Sequence, residues 1–154
     1  MSAEERIFIG LGSNLGDRRA ALDSAIRDFE QSPDIEVIRR SSFYETVPEG
    51  GPPDQPNYLT AVAELRTALG TRELLTRLLE IEARHGRQRS VPAGPRTLDL
   101  DLLLYGMRVV VTHDLVIPHP RMWQREFVMR PLAEICASDY RDRVIRRFPK
   151  DPIL

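Results

Sequence analysis

The stretch "GPRTLDLDLLLYG", residues 94–106, decides how this chain is read. From Leu98 onward its side chains alternate with the two-residue period of a β-strand. Strict alternation puts Leu98, Leu100, Leu102 and Leu104 on one face, the core face. Asp99, Asp101, Leu103 and Tyr105 then share the other. A carboxylate is among the costliest groups to bring near a core, so two of them in this strand need a reason. Along a strand they stand roughly 6 to 7 Å apart. Their repulsion at an effective dielectric near 20 is then about 2 to 3 kcal/mol. Either that face is simply wet or the pair holds a cation. Hard divalent ions take oxygen ligands, and Mg2+ combines one or two protein carboxylates with phosphate oxygens and water.

Just upstream stand Arg84, Arg87, Arg89 and Arg96. Arginine forks match phosphate oxygens; without the aspartates, the same residues would read as a solvated loop or as partners of Glu80 and Glu82. Carboxylates and guanidiniums together describe a metal–nucleotide site.

Outward from the strand, the order of elements gives the fold class. Residues 7–11 read as a first strand ending in the turn "GSNLGD". Asp17 caps a helix carrying Leu22, Ala25, Ile26 and Phe29 at helical spacing, stopped by Ser32 and Pro33. Residues 35–40 and 42–46 suit strand pieces. Residues 47–56, "VPEGGPPDQP", are too rich in proline and glycine for helix or central strand and form a long surface loop. Residues 58–65 alternate again, with Tyr58, Thr60 and Val62 on one face. A strong helix starts at Thr71, carries Leu74, Leu75, Leu78, Leu79 and Glu82, has His85 beside its end and closes at Gly86. After Gly106, residues 108–112 read as a return strand and "VIPHP" as a rigid turn. Residues 123–135 are partly helical, with a break expected at Pro131. Strand, helix, strands, helix, strands is the split β-α-β pattern. The expectation is an α+β fold with helices packed on one face of a mainly antiparallel sheet.

The 154 residues suit one domain, 1–154, with its own core. A net charge of -1 gives no global pull toward nucleic acid or anionic membrane. The single cysteine, Cys136, excludes an intrachain disulfide framework. With no apolar run near the length of a membrane span and no leader-like start, a cytoplasmic protein that is not membrane-bound is expected.

With "SSFYET", "GGPPDQPNYLTAV", "IEARHGRQR", "GPRTLDLDLLLYG" and "IPHPRMWQREFV" in one order, the chain resembles the 6-hydroxymethyl-7,8-dihydropterin pyrophosphokinase family of folate biosynthesis. "GLGSNLGDR" near the start is also typical. The resemblance implies an ATP-dependent enzyme on a ferredoxin-like sandwich, using two Mg2+ ions to move pyrophosphate from ATP to a pterin hydroxymethyl group, with AMP released. It implies that Asp99 and Asp101 are the metal ligands and, with Arg87 and Arg96, the catalytic set. Glu82, Arg89, His119 and Arg125 match nucleotide contacts. Tyr58 and Phe127 match the aromatic pair that sandwiches the pterin, whose amide edge would meet Thr46, Pro48 and Glu49. Thr60 stands where the family usually has asparagine, and Pro92 and Ala93 replace an arginine and a tryptophan. The partners implied are ATP and the hydroxymethyl pterin, with no nucleic acid and no membrane, in a monomer. A protein of the same fold that binds pterin or nucleotide with impaired catalysis is the alternative. An RNA-binding module of split β-α-β type lacks support, since the aromatic RNP pattern is absent.

Overall fold

The computed structural model describes residues 5–48, 50–85 and 97–136. In chain order these form β1 (Ile7–Ser13), α1 (Arg18–Gln31), β2 (Ile35–Arg40), β3 (Tyr44–Thr46), β4 (Tyr58–Thr67), α2 (Thr71–Arg84), β5 (Asp99–Tyr105), β6 (Val110–Val111), β7 (Val116–Ile117) and α3 (Glu126–Ile135). The main sheet has the order β2-β4-β1-β5 with every neighbouring pair antiparallel, and β3 prolongs the β2 edge by pairing with β4. The strand β4 lies between β1 and β2, the split β-α-β arrangement of a ferredoxin-like α+β fold.

Local chemistry starts and stops the helices as expected. Asp17 is the N-cap of α1 and accepts from Ala20 N–H at 3.1 Å. His85 is the C-cap of α2, its Nδ1 bonded to the Ile81 carbonyl at 2.9 Å. On one face of the sheet, Leu22, Ala25, Ile26 and Phe29 of α1 and Leu74, Leu78 and Ile81 of α2 bury against Ile7, Ile9, Leu65, Leu100 and Leu102. Each such leucine, isoleucine or phenylalanine contributes about 1.5 to 3 kcal/mol when fully buried.

Four expectations need correction. The helices are not all on one face: α3 covers the opposite one, where Val128, Leu132 and Ile135 pack on Phe8, Val62, Leu103 and Leu104. The alternation of β5 is also broken. Phe8 pairs with Leu104 but Ile9 pairs with Leu102, which leaves Leu103 as an extra residue. Such a bulge shifts all later side chains by one step. Leu104 therefore joins Leu103 in the core under α3, while Tyr105 turns to the core under α1 and α2. Finally, α3 runs through Pro131, which is buried in it, and starts only at Glu126. The missing proline N–H removes one intrahelical bond, but the apolar stripe around it fastens the helix to the sheet. The return strand is short as well, pairing with β7 in a separate hairpin and not with the main sheet.

Candidate active site

The face of the sheet under α3 is only partly covered. Beyond the helix N-terminus it opens into a cavity of about 500 Å³. Its floor follows from register. Gly12 of β1 stands opposite Thr60 of β4 and opposite Asp99 of β5, and Gly10 stands opposite Val62 and Asp101. Because the two central positions carry no side chain, the floor is hollow between Thr60 and Val62 on one side and the aspartates on the other. All six of these residues line the cavity. Asp99 and Asp101 are half-buried there.

One wall is built from β3, β4 and the loop after β3, with Thr46, Val47, Pro48 and Tyr58. That loop is tied back to the β1–α1 turn. The buried Asn14 donates through Nδ2 to Gln55 Oε1 at 3.0 Å and to the Pro56 carbonyl at 2.9 Å, and Gln55 donates to the Gly50 carbonyl at 3.0 Å. The Thr60 hydroxyl donates to the Tyr44 carbonyl at 3.3 Å, so part of its bonding capacity serves the sheet.

The opposite wall is the segment from His119 to Val128. Its start is fixed by the outer edge of β5, where the carbonyl of the bulge residue Leu103 accepts His119 N–H at 2.9 Å. Arg121 N–H donates to His119 Nδ1 at 3.3 Å. With Nδ1 accepting, the neutral ring carries its proton on Nε2. Burial, then the Arg125 and Arg121 charges, lower the His119 pKa from its ordinary 6.5 to about 4 despite the opposing pull of Asp99. The Arg125 guanidinium lies 5.3 Å from the ring centre of Phe127, which enters the cavity from the first turn of α3.

The structure thus brings Thr46, Pro48, Tyr58, Thr60, Asp99, Asp101, His119, Arg125 and Phe127 together around one cavity. Glu82 is not among them. It is buried on α2, and its Oε2 accepts Leu100 N–H at 2.7 Å, satisfying the exposed edge of β5. Arg84 turns to Asp28 of α1 at 3.5 Å. Arg87, Arg89, Arg96 and Glu49, like Pro92 and Ala93, lie outside the described residues. As site residues, sequence reading missed Gly10, Gly12, Asn14 and Arg121; it took Gly12 and Asn14 for turn residues, although β1 runs on to Ser13. Glycine in a strand interior often marks close approach of another group, and that signal was available for the first two.

A half-buried pair of carboxylates at one end of the floor and an aromatic pair at the other divide the cavity chemically. The first end suits a hard cation with its phosphate ligands; the second suits a flat ring. Among the described residues no third histidine, cysteine or acid joins the two aspartates, and no helix is long and apolar enough to cross a membrane.

Comparison with known proteins points the same way. The family model described as 7,8-dihydro-6-hydroxymethylpterin-pyrophosphokinase matches residues 8–137. The chain is 46% identical over 129 residues to the 2-amino-4-hydroxy-6-hydroxymethyldihydropteridine pyrophosphokinase of Bacillus subtilis, covering 84% of this chain and 77% of that one. It is 46% identical over 132 residues to the protein of the same name from Haemophilus influenzae, covering 86% and 81%. A folate synthesis bifunctional protein of Arabidopsis thaliana is 42% identical over 137 residues, 89% of this chain and 24% of its own length.

Proposed function

The chain belongs to the 7,8-dihydro-6-hydroxymethylpterin-pyrophosphokinase family, and from that premise we propose how its cavity performs the reaction. The enzyme transfers the pyrophosphoryl group of ATP to the hydroxymethyl group of 6-hydroxymethyl-7,8-dihydropterin, giving the pterin diphosphate and AMP in folate biosynthesis. One observation carries the reading. Gly12 lies opposite both Thr60 and Asp99, so the ring end and the carboxylate end of the floor are two strand spacings apart, roughly 10 Å. That is room for a flat bicycle whose hydroxymethyl arm points at a phosphate held beside the aspartates.

In this reading Tyr58 and Phe127 hold the pterin between their faces and exclude water from it. Thr60 and the segment of Thr46, Pro48 and Glu49 meet its polar edge. Asp99 and Asp101 hold Mg2+. The donor set fits: two half-buried carboxylates on one side of a strand leave the remaining positions to phosphate oxygens and water. We read the pair as shared by two ions. When bound, magnesium supplies charge neutralisation of the polyphosphate and orientation of its oxygens.

The rest falls to the chain. Arg125 and the Nε2–H of a neutral His119 face the nucleotide as donors that need no titration near neutral pH. Arg87, Arg89 and Arg96 are assigned to the phosphates by the family pattern, and Glu82 to the nucleotide through its neighbours on the β5 edge. The pterin hydroxyl oxygen bonds to the β-phosphorus in line, its proton passing to a carboxylate of the Asp99–Asp101 pair, as the bond from that phosphorus to the α-bridging oxygen breaks, and AMP departs. Such transfer needs positioning and neutralisation more than a protein nucleophile. All the side chains invoked come from one chain, so a monomer, folded as the single domain 1–154, suffices. The test is AMP formation from MgATP with and without the hydroxymethyl pterin. Pterin-dependent AMP supports the reading; binding of both without AMP supports the impaired alternative.

A further inference from the structure

Arg121 stands in the wall of the cavity with no assigned role. Its backbone is held on both sides, by the N–H donated to His119 Nδ1 at 3.3 Å and by its carbonyl accepting Gln124 N–H at 3.3 Å. Its side chain is exposed and lines the cavity beside His119, Pro120 and Arg125. Among the described residues the guanidinium has no hydrogen bond or ion pair. Yet it is near enough to His119 to oppose protonation of that ring. Other arginines among the described residues find an acid, as the exposed Arg72 does with Asp114 at 2.7 Å and the exposed Arg108 with Glu5 at 2.8 Å. A pinned backbone with an unneutralised fork at the mouth of a cavity is a donor set waiting for an anion.

The position selects the anion. The pterin end of the cavity is aromatic and its ligand is uncharged, so a second cation beside Arg125 answers to the nucleotide. Resting on the pyrophosphokinase reading, we propose that Arg121 binds the polyphosphate of ATP and helps the site prefer the triphosphate it consumes over the monophosphate it releases. ATP presents β- and γ-phosphate oxygens that AMP lacks, and an unpaired guanidinium fork gains its charge-assisted bonds from those oxygens.

The experiment uses calorimetric binding of α,β-methylene-ATP with Mg2+, and of AMP, to the intact protein and to the variants Arg121→Ala, Arg121→Gln and Arg121→Lys. The side chain has no partner to lose, so the variants should keep the wild-type melting temperature. Loss of one charge-assisted contact should weaken the triphosphate analogue about tenfold in the Ala and Gln variants, AMP by less than about twofold, and the pterin not at all. The Lys variant should recover most of the affinity. Equal analogue affinity in wild type and Arg121→Ala overturns the proposal, and so does equal weakening of AMP and analogue. A wild-type protein that binds no analogue overturns the pyrophosphokinase reading itself.

Discussion

A Cβ placed on Gly12 would lie 3.3 Å from Cδ1 of Tyr58 and 3.6 Å from its Cε1. The tyrosine ring therefore rests directly on the backbone of β1, at the residue that separates Thr60 from Asp99. In the proposed reading Gly12 sets the height of the Tyr58 half of the pterin clamp. The variant Gly12→Ala should displace the ring by a few tenths of an ångström and raise the KM for pterin by roughly three- to tenfold through lost alignment. The KM for MgATP should stay put. Steady-state kinetics with each substrate varied in turn checks this, and a change confined to MgATP would contradict it.

In the proposed reading, Asp99→Asn and Asp101→Asn each remove a ligand of Mg2+. Turnover should fall by at least roughly a thousandfold. The metal-free variants should remain folded, because asparagine keeps the volume and much of the hydrogen-bonding capacity of the aspartate it replaces. Thermal unfolding in the presence of a chelator measures this. A large drop in melting temperature would make the carboxylates structural.

His119 predicts the pH dependence of the metal-free protein. Its folded pKa of about 4 lies below the ordinary 6.5. As pH falls through 6.5 the unfolded chain gains a proton that the folded chain refuses until near pH 4. Stability is thus complete above that window and declines through it. Urea midpoints of wild type should drop between pH 7 and pH 5 more than those of His119→Asn; parallel curves would contradict the assignment.

Glu134 fastens α3 to the β2–β3 junction. It accepts Ser42 N–H at 3.0 Å, the Ser42 hydroxyl at 2.9 Å and the Tyr44 hydroxyl at 2.6 Å, and these bonds hold its pKa below the ordinary value. Glu134→Gln should lower stability by about 1 kcal/mol and raise the KM for pterin, since the same helix carries Phe127. The stability difference should vanish as pH falls below the ordinary carboxylate range. Denaturant unfolding at two pH values decides it.

Among the described residues the Thr60 hydroxyl bonds only the Tyr44 carbonyl. An amide there could keep that bond and offer a second donor and an acceptor to the pterin edge. Thr60→Asn should lower the KM for pterin a few-fold, roughly the value of one added hydrogen bond, with kcat little changed. A raised KM would mean that the hydroxyl already makes the better contact.

The sequence was most legible where chemistry is local. Asp17, Ser32 and His85 end their helices as their side chains require, and Asp99 and Asp101 announce themselves against an apolar strand. It was least legible where one strand answers another. The bulge at Leu103 is invisible in the pattern of β5 alone, yet it moves Leu104 and Tyr105 to opposite cores and frees the carbonyl that anchors His119. Pro131 argued for a break that the buried face of α3 overrode. The hollow floor needed cross-strand register to bring Gly10 and Gly12 between Asp101 and Val62 and between Asp99 and Thr60. Arg121 carried no periodic signal at all.

The most direct test is a crystal of the protein with Mg2+, α,β-methylene-ATP and the hydroxymethyl pterin. Metal density should be coordinated by Asp99 and Asp101, with the pterin between Tyr58 and Phe127 and its hydroxyl in line with the β-phosphorus. Metal held away from both carboxylates, or a pterin lying outside the two rings, would contradict it.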